Sequence, residues 1–310
     1  MSLNKVHVIV NPFSARGKTE KRWGKIKEIV KYYFKEYKYI FTEKPKQATK
    51  IVRKLLMEGF DLIIGVGGDG TLNEITNGFF QQHSFDTINE DASIGIIPSG
   101  TGSDFIRFLK IPREFEKSVE LIKKSKTKKI DVGKITFNPE SRDKKCQFFI
   151  NIADFGLGAE VIKKLANIPS IKRGPLVYYK GLLLTLKNYK SKLVKIKMDE
   201  SQEIEGKFLI GAIANGRIFG GGMMIAPNAE PDDGFFDLVL VEDMKKLEII
   251  YNIPHLYRGT IAKNPKVFIH RVKKIEISSD EIVNIEYDGE IGRTLPATFE
   301  IIEKKIKLRI

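Results

Sequence analysis

The chain has 310 residues, 42% of them hydrophobic and 10% aromatic, so it can bury a sizeable core and is neither disordered nor fibrous. Its single cysteine, Cys146, allows no internal disulfide, excludes a cysteine-rich zinc site and fits a reducing, cytoplasmic compartment. A net charge of +14 points to an anionic partner (nucleic acid, a lipid surface or a phosphorylated ligand), and no apolar run is long enough to span a bilayer.

In chain order, residues 6–10 are a β-branched run ending at Asn11-Pro12, which predicts a buried strand followed by a loop. From about Lys18 to Phe34, Trp23, Ile26, Ile29, Val30 and Phe34 recur at helical spacing. Strands are expected at 37–41, 61–66 and 93–97, and helices at 47–57, 72–80 and 103–109. Such alternation predicts an α/β nucleotide-binding domain over residues 1–130, a doubly wound parallel sheet with ligands at the carboxyl ends of its strands. Beyond Lys126 the texture changes to apolar runs at 130–132, 148–153, 193–198, 208–214, 236–241, 275–278 and 283–287, with helical patterns near 158–168 and 174–188. A β-rich, sandwich-like second domain is expected over 131–292, with residues 293–310 able to return to the first.

The charge is segregated. Residues 1–60 carry 15 basic against five acidic side chains, residues 61–109 carry only Arg107 against seven acids, and residues 160–197 carry ten basic groups against Glu160. An acidic centre between basic flanks, without a nucleic-acid motif, is a poor track for a phosphate backbone, so nucleic acid is not expected as a partner.

The strongest local signal is the run Gly65-Val66-Gly67-Gly68-Asp69-Gly70-Thr71-Leu72-Asn73-Glu74, where a strand becomes a helix. Glycines there let backbone amides approach an anion, and the helix N-terminus adds a favourable dipole. Gly65, Gly67 and Gly70 also satisfy a dinucleotide fingerprint, with Glu90 or Asp91 at the spacing of a ribose contact. Against that reading, the run follows the third strand, and Asp69 would repel a pyrophosphate unless a cation intervened; a divalent metal bridging it to a nucleotide suits it better. A second loop, residues 98–105, follows the next strand. The first loop, residues 11–19, ends in Gly-Lys-Thr but has Pro12 where a Walker sequence needs glycine, so it is not a Walker site; Asn11, Ser14, Arg16 and Lys18 remain candidate phosphate donors.

Asn11-Pro12, the stretch 67–74, the stretch 98–105, Ile130-Asp131-Val132-Gly133, residues 228–237 and Tyr287-Asp288-Gly289-Glu290, in this order, resemble the soluble bacterial lipid kinases of the diacylglycerol kinase catalytic-domain family, which includes sphingosine and ceramide kinases and is related to NAD kinases. One departure is Ser103, where the family usually has Asn. The resemblance implies an ATP- and Mg2+-dependent transfer of the γ-phosphoryl group to a lipid hydroxyl, most simply diacylglycerol to phosphatidic acid. Other acceptors (a sphingoid base, another glycerolipid or NAD) and a non-catalytic lipid- or nucleotide-binding regulator are the alternatives.

By the same resemblance ATP would lie between the domains, with Gly67, Gly68, Asp69, Gly70, Thr71 and Asn73 in its binding stretch and further contacts from Asn11, Thr42 and Thr101. Asp69, Asp104 and Asp131 match acids that organise Mg2+ through water, and Glu290 matches the general base. For Asp104 the bland alternative is helix capping, and for Asp131 a strand-end hydrogen bond. Glu230, Asp233 and Phe235 match a second, structural metal loop, although an Asp-Asp-Gly turn needs no metal to form. The expected location is cytoplasmic and peripheral on the inner face of the membrane, with residues 160–197 meeting an anionic bilayer surface; a homodimer is left open.

Overall fold

The structure is a computed structural model that describes residues 5–81, 86–100, 103–142, 144–166, 175–199 and 202–310. The chain divides into two compact units, residues 1–130 with 304–310, and residues 131–303.

The first unit alternates β1 (Val6–Val10), α1 (Lys18–Tyr33), β2 (Tyr37–Phe41), α2 (Gln47–Met57), β3 (Leu62–Gly67), α3 (Asp69–Gly78), β4 (Ser93–Pro98), α4 (Asp104–Phe108) and α5 (Phe115–Lys124). Strand β1 pairs in parallel with β2 and β3, and β3 with β4. Strands β1, β3 and β4 are buried on both faces, as their near-continuous Val/Ile runs require. On one face Val6, Val8, Val10, Ile64 and Val66 pack against Trp23, Ile26 and Val30 of α1 and Val119 and Ile122 of α5. Gly95 is small because Ile122 lies there: a Cβ would meet its side chain at 2.8 Å.

The second unit runs through β5 (Thr127–Phe137), β6 (Lys145–Phe149), β7 (Ile152–Gly156), α6 (Leu157–Ala166), α7 (Pro175–Leu186), β8 (Lys192–Met198), β9 (Gln202–Ala214), β10 (Ile218–Phe219), β11 (Met223–Met224), β12 (Phe236–Glu242), α8 (Lys246–Arg258), β13 (Val267–Val272), β14 (Lys274–Ser278), β15 (Asn284–Tyr287), β16 (Glu290–Thr294) and β17 (Ala297–Arg309). Its pairings are antiparallel: β9 lies between β7 and β8 and also pairs with β12. Alternate residues sort to two sides. Ala153, Phe155, Ile213, Ile285, Tyr287 and Phe299 enter one apolar core, while Ile152, Ala212 and Ala214 enter another with Leu157, Val161 and Leu186 of the covering helices.

Strand β17 serves both units. Residues 297–300 pair antiparallel with β14, and Lys307 and Leu308 pair in parallel with β4. The strand runs this far because Ile306 and Leu308, buried between Lys305, Lys307 and Arg309, keep the alternation going. Among the described residues no helix is long and apolar enough to cross a membrane.

Candidate active site

Three loops leave the carboxyl ends of β1, β3 and β4, and hydrogen bonds tie them together. Asn11 Nδ2 donates to Thr71 Oγ1 at 3.1 Å. The Thr19 and Ser99 hydroxyls share a 2.7 Å hydrogen bond, and the Ser99 and Gly100 amides donate to Gly67 O at 2.8 and 3.1 Å. Thr42, buried at the end of β2, donates its amide to Val10 O at 2.9 Å. Thr101 lies outside the described residues.

The glycines of the central loop have different reasons. A Cβ on Gly67 would meet Thr71 Oγ1 at 2.1 Å, so glycine lets Thr71 fold back to reach Asn11. Gly70 has nothing within 4 Å of its Cβ position. Helix α3 starts at Asp69, three residues before the expected Leu72, because Gly68 is its extended N-cap and the Asp-Gly-Thr stretch is its first turn. The early amides of such a turn have no partner inside the helix and favour an anion.

Asp69 Oδ2 accepts from the Asp104 amide at 2.5 Å and the Phe105 amide at 3.4 Å, and Oδ1 from the Ile106 amide at 3.3 Å. It therefore caps α4, whose own N-cap, Ser103, makes no side-chain cap bond. Asp104, for which capping was one expectation, is not the cap; it is buried, and its Oδ1 lies 3.7 Å from the Arg107 guanidinium. The Asp69 carboxylate thus ties the start of α3 to the backbone at the start of α4, where Asp104 stands.

Other acids of the motifs turn out to hold structure. Glu74 accepts from the Lys46 and Ala48 amides at 2.9 and 3.1 Å, capping α2, whose N-cap Lys46 is left-handed and makes no side-chain cap bond. Asn73 is buried and takes a hydrogen bond from Asn77 one turn later, 3.2 Å to its Oδ1. Glu90 and Asp91 meet Lys305 and Lys307 at 3.3 and 3.2 Å, which engages them with β17 and removes the basis for a ribose contact.

In the second unit, Asp131 is fully buried, and its Oδ2 accepts from the Gly234 amide at 2.8 Å while its own amide donates to Pro231 O at 2.7 Å. Asp131 stands in the middle of β5 and not at a strand end, and its carboxylate and amide tie that strand to the 231–234 turn. Asp233 Oδ1 accepts from the Phe235 amide at 3.0 Å, and Oδ2 meets Arg271 at 2.5 Å. Arg271 also lies 4.5 Å above the Phe235 ring, and Glu230 pairs with Arg217. A guanidinium already supplies the positive charge a cation would bring to Asp233. The expected metal loop uses the Asp233 side chain and the backbone carbonyls of Glu230 and Phe235; of that set the Asp233 carboxylate is engaged by Arg271.

Glu290 opens β16, half-buried, opposite Tyr287 across a turn in which Asp288 and Gly289 have φ of 48° and 83°. Burial first, then the charges of Glu290, Asp288 and Glu286, push the Tyr287 phenol up to about 12. Asp288 does more than turn the chain. Its Oδ2 accepts from the Ile150 amide at 2.8 Å, and its Oδ1 from Asn151 and Ile152 at 3.0 and 3.2 Å. These three amides interrupt the apolar run 148–153, which is two strands, β6 and β7, and not one. Asp288→Ala is expected to destabilise the chain by about 2–4 kcal/mol, read as a lower urea midpoint, with Asp288→Asn recovering part of the loss.

Sequence reasoning overlooked Glu74 and the second role of Asp288. A signal existed for the first: the start of α2, Lys46-Gln47-Ala48, has no Ser, Thr, Asp or Asn to cap it, so a cap from elsewhere was required. None existed for the second, because Asp-Gly announces a turn whether or not its carboxylate reaches a distant loop.

Residues 5–135 match the model of the diacylglycerol kinase catalytic domain, and residues 151–310 that of the YegS C-terminal NAD kinase beta sandwich-like domain. A diacylglycerol kinase of Staphylococcus carnosus is 31% identical over 267 residues, 86% of this chain and 82% of that protein. A solved diacylglycerol kinase structure from Bacillus anthracis superposes with a TM-score of 0.71 at 25% identity, covering 99% of this chain and 97% of that one. Yeast NADH kinase shares the fold, with a TM-score of 0.54 at 13% identity. The doubly wound unit with its glycine-rich loops, followed by the β-rich unit, is thus the architecture of a kinase. The chain belongs to the diacylglycerol kinase family.

Proposed function

We propose that this chain transfers the γ-phosphoryl group of ATP, with Mg2+, to the free hydroxyl of diacylglycerol, forming phosphatidic acid. The observation that carries the reading is the convergence of three loops on the start of α3, where Asn11 is bonded to Thr71, Ser99 to Thr19 and Gly67, and Gly70 is left open. Amides at the start of α3 bind phosphate oxygens, in keeping with the net acidity of residues 61–109, where bulk positive charge is missing. Asp69 and Asp104 hold Mg2+ through water, and the ion supplies neutralising charge to the phosphates when bound. Glu290 accepts the proton of the attacking hydroxyl, which is a weak nucleophile until it is deprotonated.

A bilayer-resident acceptor also fits the second unit. Helix α7 exposes Tyr179, Leu183 and Leu184 beside Lys180 and Lys187, and α8 exposes Leu247 and Tyr251, 82% and 74% accessible, beside Lys245 and Lys246. Basic and apolar groups side by side are what adsorption on anionic lipid requires. Residues 167–174 of the expected membrane segment lie outside the described residues.

The test is transfer from γ-labelled ATP to diacylglycerol presented in neutral vesicles and in vesicles with anionic lipid. The expected result is labelled phosphatidic acid, formed about tenfold faster on the anionic surface. Labelling of another lipid instead would move the acceptor, equal rates on both surfaces would remove the electrostatic docking, and ATP binding without any labelling would favour a regulator.

A further inference from the structure

Behind the turn that presents Glu290 lies a second acid pair with no part in the chemistry just described. Asp154 of β7 stands directly opposite Glu286 of β15 in the antiparallel register, and both are buried, 1% and 4% accessible. Their neighbours Ala153, Phe155, Ile285 and Tyr287 point into the apolar core, so the two carboxyls share the other face, where α6 begins. Gly158 in the first turn of α6 lies so close that a Cβ there would sit 2.3–2.6 Å from the Asp154 carboxylate atoms. Neither buried oxygen of Asp154 makes a well-formed hydrogen bond, whereas Glu286 Oε2 accepts from the Gly289 amide at 2.9 Å, one residue before Glu290.

Two carboxylates facing each other across paired strands, out of water, cannot both remain charged. Burial raises both above the usual carboxylate range; the charge of Asp154, a hydrogen bond from Glu286 to it and, more weakly, the charge of Asp288 raise Glu286 further. The titratable groups around the pair are themselves acids: Asp288 on the same hairpin, Glu160 on α6, which pairs with Asn284, and Tyr189, whose phenol is raised by burial and by Glu160 and Asp154. Backbone amides ease the pair only in part: Ala159 acts on Asp154 from outside good hydrogen-bond geometry, and Gly289 donates to Glu286. A single proton satisfies the geometry. On the second oxygen of Glu286 it turns that carboxyl into a donor to Asp154, while Oε2 still holds the Gly289 amide.

We propose that Asp154 and Glu286 share one proton at neutral pH, carried by Glu286, and that this protonated pair positions the turn bearing Glu290. Both are positioning residues, and the role of Glu290 as base rests on the function proposed above. The sign of the linkage follows. The native chain holds a proton that the unfolded chain releases near the ordinary carboxyl value, so stability falls as pH rises from that value toward the raised one. Gln at 286 reproduces the acceptor for Gly289 and the donor for Asp154 without a titrating proton.

The test compares the full chain with Glu286→Gln and Glu286→Ala. Between about pH 5 and pH 8, the melting temperature of the unsubstituted chain is expected to fall relative to that of Glu286→Gln by about 5 °C. Amide exchange over residues 284–294 should quicken about tenfold in Glu286→Ala and stay near the original rate in Glu286→Gln. In the transfer assay, kcat should fall about tenfold in Glu286→Ala with KM for ATP unchanged, and stay within about threefold in Glu286→Gln. Parallel melting curves for the unsubstituted chain and Glu286→Gln would overturn the shared proton, and unchanged exchange in Glu286→Ala would overturn the positioning. Melting and exchange need no turnover, so absence of transfer in every protein would count against the proposed function while these two readouts still decide the pair.

Discussion

Asp69→Asn is expected to reduce phosphoryl transfer by about 10^2–10^3-fold while the chain stays folded. The residue has two duties on the two sides of one carboxylate. Toward the protein it accepts from three successive amides at the start of α4, which fixes where its charge stands. In the function proposed above, its charge, with that of Asp104, would also serve Mg2+, which prefers hard oxygens. Asn preserves an acceptor for the helix and removes the charge, so the loss should fall mainly on transfer. Asp69→Ala removes both and should also destabilise by about 2–3 kcal/mol. Transfer activity, thermal melting and Mg2+ dependence of ATP binding measured on both variants separate the duties. Equal activity of Asp69→Asn and the unsubstituted chain would leave Asp69 a helix cap and no more.

Glu290→Gln should lower kcat by about 10^2–10^4-fold and leave ATP affinity as it was, because the residue is assigned to proton transfer alone. The turn itself should survive, since it is held by Asp288 on the amides of residues 150–152 and by Glu286 on Gly289. Exchange protection over the hairpin is therefore the control. Retained turnover with an intact hairpin would remove Glu290 as the base.

Much of the fold was legible because its signals are local. The β-branched runs at 6–10 and 62–67 have burial on both faces written into them, and Trp23, Ile26 and Val30 mark the buried stripe of α1. Helix α8 escaped notice: its exposed face carries Leu247, Ile250, Tyr251 and Tyr257, and Pro254 interrupts it, so apolar periodicity is blurred just where it should contrast with solvent. Strand β13 was hidden by His270 and Arg271, polar residues whose place becomes sensible only once Arg271 is seen reaching Asp233. The same limit governs the site. Gly67, Asp69 and Thr71 were readable as one loop because glycine and acid spacing carries meaning within a few residues, whereas Asn11, which bonds Thr71 from 60 residues away, joined them only through the family resemblance. The distinction between Asp69 as a cap and Asp104 as the capped residue needs the meeting of two helix starts, a fact of tertiary structure. So do the roles of Asp131 and Asp233, whose partners Gly234 and Arg271 lie 103 and 38 residues away.

Strand β17 carries an implication for synthesis on the ribosome. Residues 304–310 complete the first unit, with Ile306 and Leu308 buried in it, yet they are made only after all of residues 131–303. The nucleotide unit therefore cannot finish folding when its own stretch of chain has emerged; the outer side of β4 has to wait through the whole of the second unit. During that interval an unpaired parallel edge of β4 stands open to other strands. Assembled in this order, the first unit cannot be complete before the second has been made.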